Sequence, residues 1–308
     1  SPYTTIRPYF NYAPESEMIS RPAFLIGANN DQQQENITIS DIYFQGLGRQ
    51  ADWDNTVPPY LNVQADQGGA IQISIKNYDD SCGSQCEGTI NIKDCVFHNM
   101  SSKKRGGAIY VWSDDVFAPG INVSACNFFT CSSQTGGALY VRGCQTDVAK
   151  CYFFDCKADS TYTDSDEPCS GGAIAFRDTP GKVGNGVAHR PSNIEDSYFY
   201  GNYALTFGSD FYAEHAGFYI DDCLMSGAIG GQSSTTSSIV IAGRMEATGS
   251  QRIYDTRISD SLGTGVWMDD SGIGQTHDAR PWFKRSVVVA NANYGLYSMD
   301  GAKPYIYR

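Results

Sequence analysis

Apolar and polar residues alternate along most of this chain in short bursts, and no burst shows the spacing of a helix face. Thr89-Ile90-Asn91-Ile92-Lys93 and Ile121-Asn122-Val123 are clear cases. A period of two with one apolar phase predicts strands with one buried face. The bursts come in a fixed order. An aliphatic strand leads through a bend to a short strand centred on an aromatic, as in Asp94-Cys95-Val96-Phe97. A third strand follows Gly-Gly-Ala and a branched aliphatic residue, at residues 68–71, 106–109, 136–139 and 171–174. Two glycines in a row permit a sharp turn or positive φ, so this phrase reads as a corner from which Ala and Ile or Leu enter the core.

The order repeats. Phe44, Phe97, Phe128, Phe153, Phe199, Met225, Ile258 and Val288 anchor eight units, 25 to 53 residues apart. Such recurrence signals a repeat architecture. Later units lose the double glycine but keep a third strand, at Phe211-Tyr212-Ala213, Ile239-Val240-Ile241, Val266-Trp267-Met268 and Leu296-Tyr297-Ser298. Three short strands per unit without a helix predict an all-β fold. It is a right-handed parallel β-helix, a solenoid of about eight coils and roughly 40 Å long. A propeller would need about four strands per blade and more even spacing. Residues 1–308 read as one domain, with 1–35 an N-terminal cap or incomplete coil and 36–308 the coils. Starting at Ser1 without signal peptide or initiator Met, the chain reads as a mature form or a fragment. Insertions at 45–67, 157–170 and 178–192 read as flanking loops, either binding surfaces or tolerated drift.

Charge narrows the partners. Against 34 acidic side chains stand 22 basic ones, a net −12. Nucleic acid and anionic membranes are excluded, since both need a basic face, and no apolar run is long enough for membrane insertion. Ten cysteines, nine of them before residue 170, accompany three N-glycosylation sequons at Asn36, Asn99 and Asn122. Together they favour an oxidising, extracellular or cell-surface setting; the alternative is a cytosolic chain with buried thiols.

Stacked coils turn sequence positions into columns. Cys95, Cys126, Cys151 and Cys223 share one column, Cys131 and Cys156 another. Neighbouring coils bring matched Cα atoms within disulfide reach. Cys131 with Cys156 is the leading vertical pair, and Cys126 with Cys151 is a further candidate. Cys82 and Cys86 are placed to close a small loop or to reach Cys144 or Cys169, and connectivity stays open. An acidic ridge ends the third strands: Asp79-Asp80, Asp114-Asp115, Asp178, Glu214, Asp269-Asp270 and Asp300. Asp114, Asp115, Asp269 and Asp270 are its candidate metal ligands, for which calcium is the fitting cation. The plainer reading, and the preferred one, is a solvated rim that discourages edge pairing, with no cofactor. Tyr110, Trp112, Tyr140, Tyr212, Trp267 and Tyr297 fall in the outward phase of the same strands. They imply packing against sugar rings, another subunit or the protein's own loops, or stacking on one another. The four histidines, His98, His189, His215 and His277, show no ligand spacing. His277-Asp278 beside Arg280 is the densest polar cluster, best read as loop polarity.

The paired phrases resemble the repeats of the chlamydial polymorphic outer-membrane proteins. That family carries Gly-Gly-Ala-Ile and Phe-x-x-Asn tetrapeptides on a right-handed parallel β-helix and serves as surface adhesins. Gly-Gly-Ala-Ile stands at 68–71, 106–109 and 171–174, and Phe199-Tyr200-Gly201-Asn202 is a full second motif. The resemblance covers residues 68–202; the family's membrane barrel is absent, and the cysteines and sequons depart from it. The pectate-lyase-like enzymes share the coil architecture, but of their hydrolase motifs only Asp-Asp is present, without Gly-His-Gly. The expectation is therefore an extracellular structural or adhesive protein, non-enzymatic, that self-associates or binds other extracellular proteins or a glycan, as a component of a fibre, coat or matrix. The alternative is a calcium-dependent polysaccharide lyase or hydrolase acting on an acidic glycan.

Overall fold

The computed structural model describes residues 4–6, 22–28, 36–46, 65–75, 89–113, 120–159, 168–179, 191–230, 237–243, 251–269, 281–299 and 302–307. Three nine-stranded sheets run the length of the molecule, every pairing in them parallel. The chain visits them in the same order on each turn, so the molecule is a right-handed parallel β-helix. Strands of the aliphatic sheet include Ile37–Ser40, Thr89–Lys93, Gly120–Ser124 and Thr146–Ala149. The aromatic sheet holds Ile42–Gln45, Val96–His98, Asn127–Phe129, Tyr152–Phe154 and Tyr198–Tyr200. The corner sheet holds Ile71–Ile75, Ile109–Ser113, Leu139–Arg142 and Ile174–Arg177, each leaving a glycine turn. Before Ile37, Thr4–Ile6 and Phe24–Ala28 pair in register with the strands of the following coil.

The anchors of the repeat meet in register, from Phe44 opposite Phe97 to Ile258 opposite Val288. Their rings form a ladder through the core, with centroids 4.8, 4.8, 4.7 and 4.8 Å apart from Phe44 to Phe199. Burying each such ring stabilises the fold by roughly 1.5–3 kcal/mol, and stacking adds to that.

Corners and bends follow from backbone sterics. Gly106, Gly136 and Gly171 take φ of 61°, 63° and 68°, where a Cβ is costly. The second glycine serves another purpose: a Cβ on Gly137 would stand 2.0 Å from the Gly172 carbonyl oxygen and 2.5 Å from that of Lys157. Between the aliphatic and aromatic strands one residue per coil is left-handed. Asp94, Asp196, Asp222 and Asp255 suit that region, whereas Ala125, Lys150 and Arg285 occupy it at a cost.

One element escapes a reading by alternation. Ser132–Ser133, Lys157–Ala158, Tyr203–Ala204 and Ile229–Gly230 form a fourth parallel sheet between the aromatic and corner sheets. Strands of two residues have no period to detect.

Candidate functional site

The aromatic strands expose both flanks of their buried anchor. In Tyr152–Phe154 and Tyr198–Tyr200 the central Phe points inward, and the flanking rings point to solvent. Tyr152, Phe154, Tyr198 and Tyr200 are 49, 40, 46 and 55 % exposed. They form two tracks along the coil axis. Tyr152 and Tyr198 are parallel with centroids 5.0 Å apart, and Phe154 and Tyr200 are 5.3 Å apart. Phe129 extends the second track, 6.3 Å from Phe154. With Asn127 these rings line a groove of about 160 Å³. Left-handed bends flank two of its strands: Lys150 precedes Tyr152–Phe154 and Asp155 follows it, and Asp196 precedes Tyr198–Tyr200. Asp155 Oδ1 leans over Gly201, 2.5 Å from where a Cβ there would stand. The signal for this face was the repeated triplet of aromatics, with rings on both sides of the anchor.

The outward aromatics of the corner strands behave differently. Tyr110, Tyr140 and Tyr212 are 4, 1 and 6 % exposed. They pack with Ala175 and Val240 into a second apolar layer outside the coil, against which Trp112, Phe207 and Trp267 lie. Arg105 sits 5.6 Å from the centre of the Tyr140 ring. Tyr110 and Tyr140 stack at 5.6 Å, and Trp267 and Tyr297 meet tilted at 4.4 Å. So the expected outward phase holds, but three of the six rings are buried by the protein's own chain and the other three are half-buried.

Of the acidic ridge, Asp114, Asp115 and Asp270 lie outside the described residues, as do Asp79, Asp80 and Asp300. Asp269 ends the strand Thr264–Asp269. The described inner members are neutralised across coils: Arg142 Nε donates to Asp178 Oδ2 at 3.1 Å, and Arg177 donates to Glu214 Oε1 at 3.2 Å. The Tyr212 hydroxyl also donates to Glu214. His215 Nδ1 is 4.0 Å from Asp178. Carboxylates converge instead at Asp221, Asp222 and Asp255, whose oxygens lie within 4.8 Å of one another. Burial, then repulsion from Asp222, raises Asp221, while its hydrogen bond from Arg285 holds Asp255 below its usual range. A separate carboxylate, Asp210, is fully buried where earlier coils have the corner alanine. Asn202 and Ser238 donate to it at 2.8 and 2.6 Å, yet burial pushes it up to about 6.

No disulfide links the described cysteines. Cys131 and Cys156, and Cys126 and Cys151, stand in adjacent coils as expected, but as buried thiols. Each Sγ is aimed at a carbonyl of the preceding coil: Cys126 at Ile92, Cys131 at Phe97, Cys151 at Val123 and Cys156 at Phe128. The stacked thiols also lie within hydrogen-bond reach of one another, Cys126 of Cys95 and Cys151 and Cys131 of Cys156. Cys82 and Cys86 lie outside the described residues. All three sequon asparagines are described. Asn36 Oδ1 accepts from Thr89, Asn99 Oδ1 from Thr130, and Asn122 Nδ2 donates to Asn91. His98 lies between Tyr43 and Phe129; His189, His277, Asp278 and Arg280 are outside the described residues.

No family model, curated protein or solved structure matches this chain.

Proposed function

We propose that the chain is an extracellular or cell-surface β-helical rod that works by attachment, self-association included, and not by catalysis. The observation that carries this is the solvent-facing aromatic face at Tyr152, Phe154, Tyr198 and Tyr200. Exposed contiguous apolar surface on a soluble scaffold marks an interaction site. A solenoid holds such a face rigidly, because each coil is pinned by its neighbours. The resemblance of residues 68–202 to adhesin repeats points the same way. The ridge carboxylates Asp178 and Glu214, which a lyase would use, are engaged by Arg142 and Arg177.

The test is a variant with Tyr152→Ser, Phe154→Ser, Tyr198→Ser and Tyr200→Ser. These side chains point away from the core, so the variant is expected to fold, which circular dichroism checks. It is expected to lose self-association by light scattering and attachment to immobilised matrix glycoprotein and polysaccharide. A variant that associates and attaches like its parent overturns the reading.

A further inference from the structure

We infer that the groove between the two aromatic tracks is a binding site for a neutral, β-linked hexose chain lying along the coil axis. This rests on the attachment reading and names its ligand.

Three observations carry it. The first is ring geometry. Tyr152 and Tyr198 are parallel within 7°, with their centroids 5.0 Å apart. The two rings stack in parallel with about half of each residue left to solvent, and aromatic surface of this kind is what the C–H face of a pyranose packs on. Coils repeat at about 4.8 Å, and an extended β-1,4-linked hexose chain advances by nearly the same distance per sugar. Successive sugars can therefore meet successive coils.

The second is size. An aromatic side chain offers about 200 Å², so four rings roughly half exposed offer on the order of 400 Å². A stable protein interface takes about 800 Å² from each partner. The face by itself is below that size, so self-association through it needs further contacts, but it is sufficient for two or three sugars, and the groove of about 160 Å³ is of that scale.

The third is polarity and charge. Asn127 and the hydroxyls of Tyr152, Tyr198 and Tyr200 border the groove and suit a ligand that is apolar on one face and hydroxylated at its edges. Among the described residues no charged one lines the groove, and the chain charge of −12 disfavours carboxylated or sulfated glycans.

Calorimetry and affinity electrophoresis with cellohexaose, laminarihexaose and chitohexaose test the inference, with hexagalacturonate as the charged comparison. At least one neutral hexasaccharide is expected to bind, and hexagalacturonate to bind at least about tenfold more weakly. Tyr152→Ala with Tyr198→Ala should weaken binding about tenfold or more. Val287→Ala with Val289→Ala, on the same two tracks nearer the C-terminus, should leave it unchanged. Equal binding of hexagalacturonate, or binding that survives the tyrosine substitutions in a folded variant, overturns the inference. So does no binding of any neutral sugar. In that last case, loss of self-association in the four-serine variant would leave the attachment reading standing with a second copy as occupant; unchanged association and attachment would remove both.

Discussion

The backbone N–H of Cys151 donates to Ser197 Oγ in the next coil, 3.1 Å away. Ser197 stands where other coils have Cys95, Cys126 and Cys223, and its hydroxyl donates to Glu195 O as Cys151 Sγ contacts Ala149 O. Thr256 and Ser286 continue the column, each hydroxyl on a backbone carbonyl. Thiol and hydroxyl are interchangeable here because each position of the column holds a small donor beside a backbone carbonyl.

Cys126→Ser with Cys151→Ser should therefore fold and lose no more than about 1–2 kcal/mol, the scale of one adjusted hydrogen bond per site. Urea denaturation measures it. A reductant should not lower the melting temperature of a Cys82→Ser, Cys86→Ser background.

Burial drives the alkaline behaviour of Cys144 and Cys223. Cys144 and Cys223 are each pushed up to about 12, desolvation being the main cause. Unfolded thiols ionise near 8.5. The stability they contribute is fully present below about pH 8.5 and is lost as pH rises towards 12, because only the unfolded chain sheds its protons there. Urea midpoints should fall above about pH 8.5, and Cys223→Ser should flatten that fall. Iodoacetamide at pH 8 should label both residues only after unfolding.

Asp210 shows the same sign at acid pH. Its carboxyl, pushed up to about 6, is protonated in the fold at a pH where the unfolded chain, near 3.9, has already released its proton. Stability is fully present below about pH 4 and is lost as pH rises through about 6, on the order of 3 kcal/mol in all. Asp210→Asn keeps the bond from Asn202 and lets Ser238 accept instead of donate. The difference in urea midpoint between pH 4.5 and 7 should shrink in this variant relative to the parent.

Glycines of the corners and bends separate by cause. Gly137→Ala drives a Cβ to 2.0 Å from the Gly172 carbonyl oxygen and should cost about 3 kcal/mol or more. Gly46→Ala meets nothing within 4 Å and bears only its left-handed φ of 65°, about 1–2 kcal/mol. Ala125→Gly relieves the same conformation at an exposed bend and should be neutral to stabilising by about 1 kcal/mol. Thermal denaturation of the three variants ranks them.

By itself the sequence determined the coil. Period-two alternation, the Gly-Gly corners and one apolar anchor per unit gave the strand register from Phe44 to Val288, because in a parallel solenoid like positions must stack. It could not determine what lies over an outward side chain. Tyr140 and Tyr152 have the same outward phase, yet one is 1 % and the other 49 % exposed. The tertiary structure decided this: Arg105 and Phe207, on the segments entering the glycine corners, lie against the outward tyrosines of the corner sheet, while among the described residues Tyr152, Phe154, Tyr198 and Tyr200 stay exposed. Register likewise placed the cysteines in columns, but which carbonyls stand beside the thiols was decided by the packing of the coils. Alternation reports phase along a strand; cover and partner are set by chain that returns from far away in sequence.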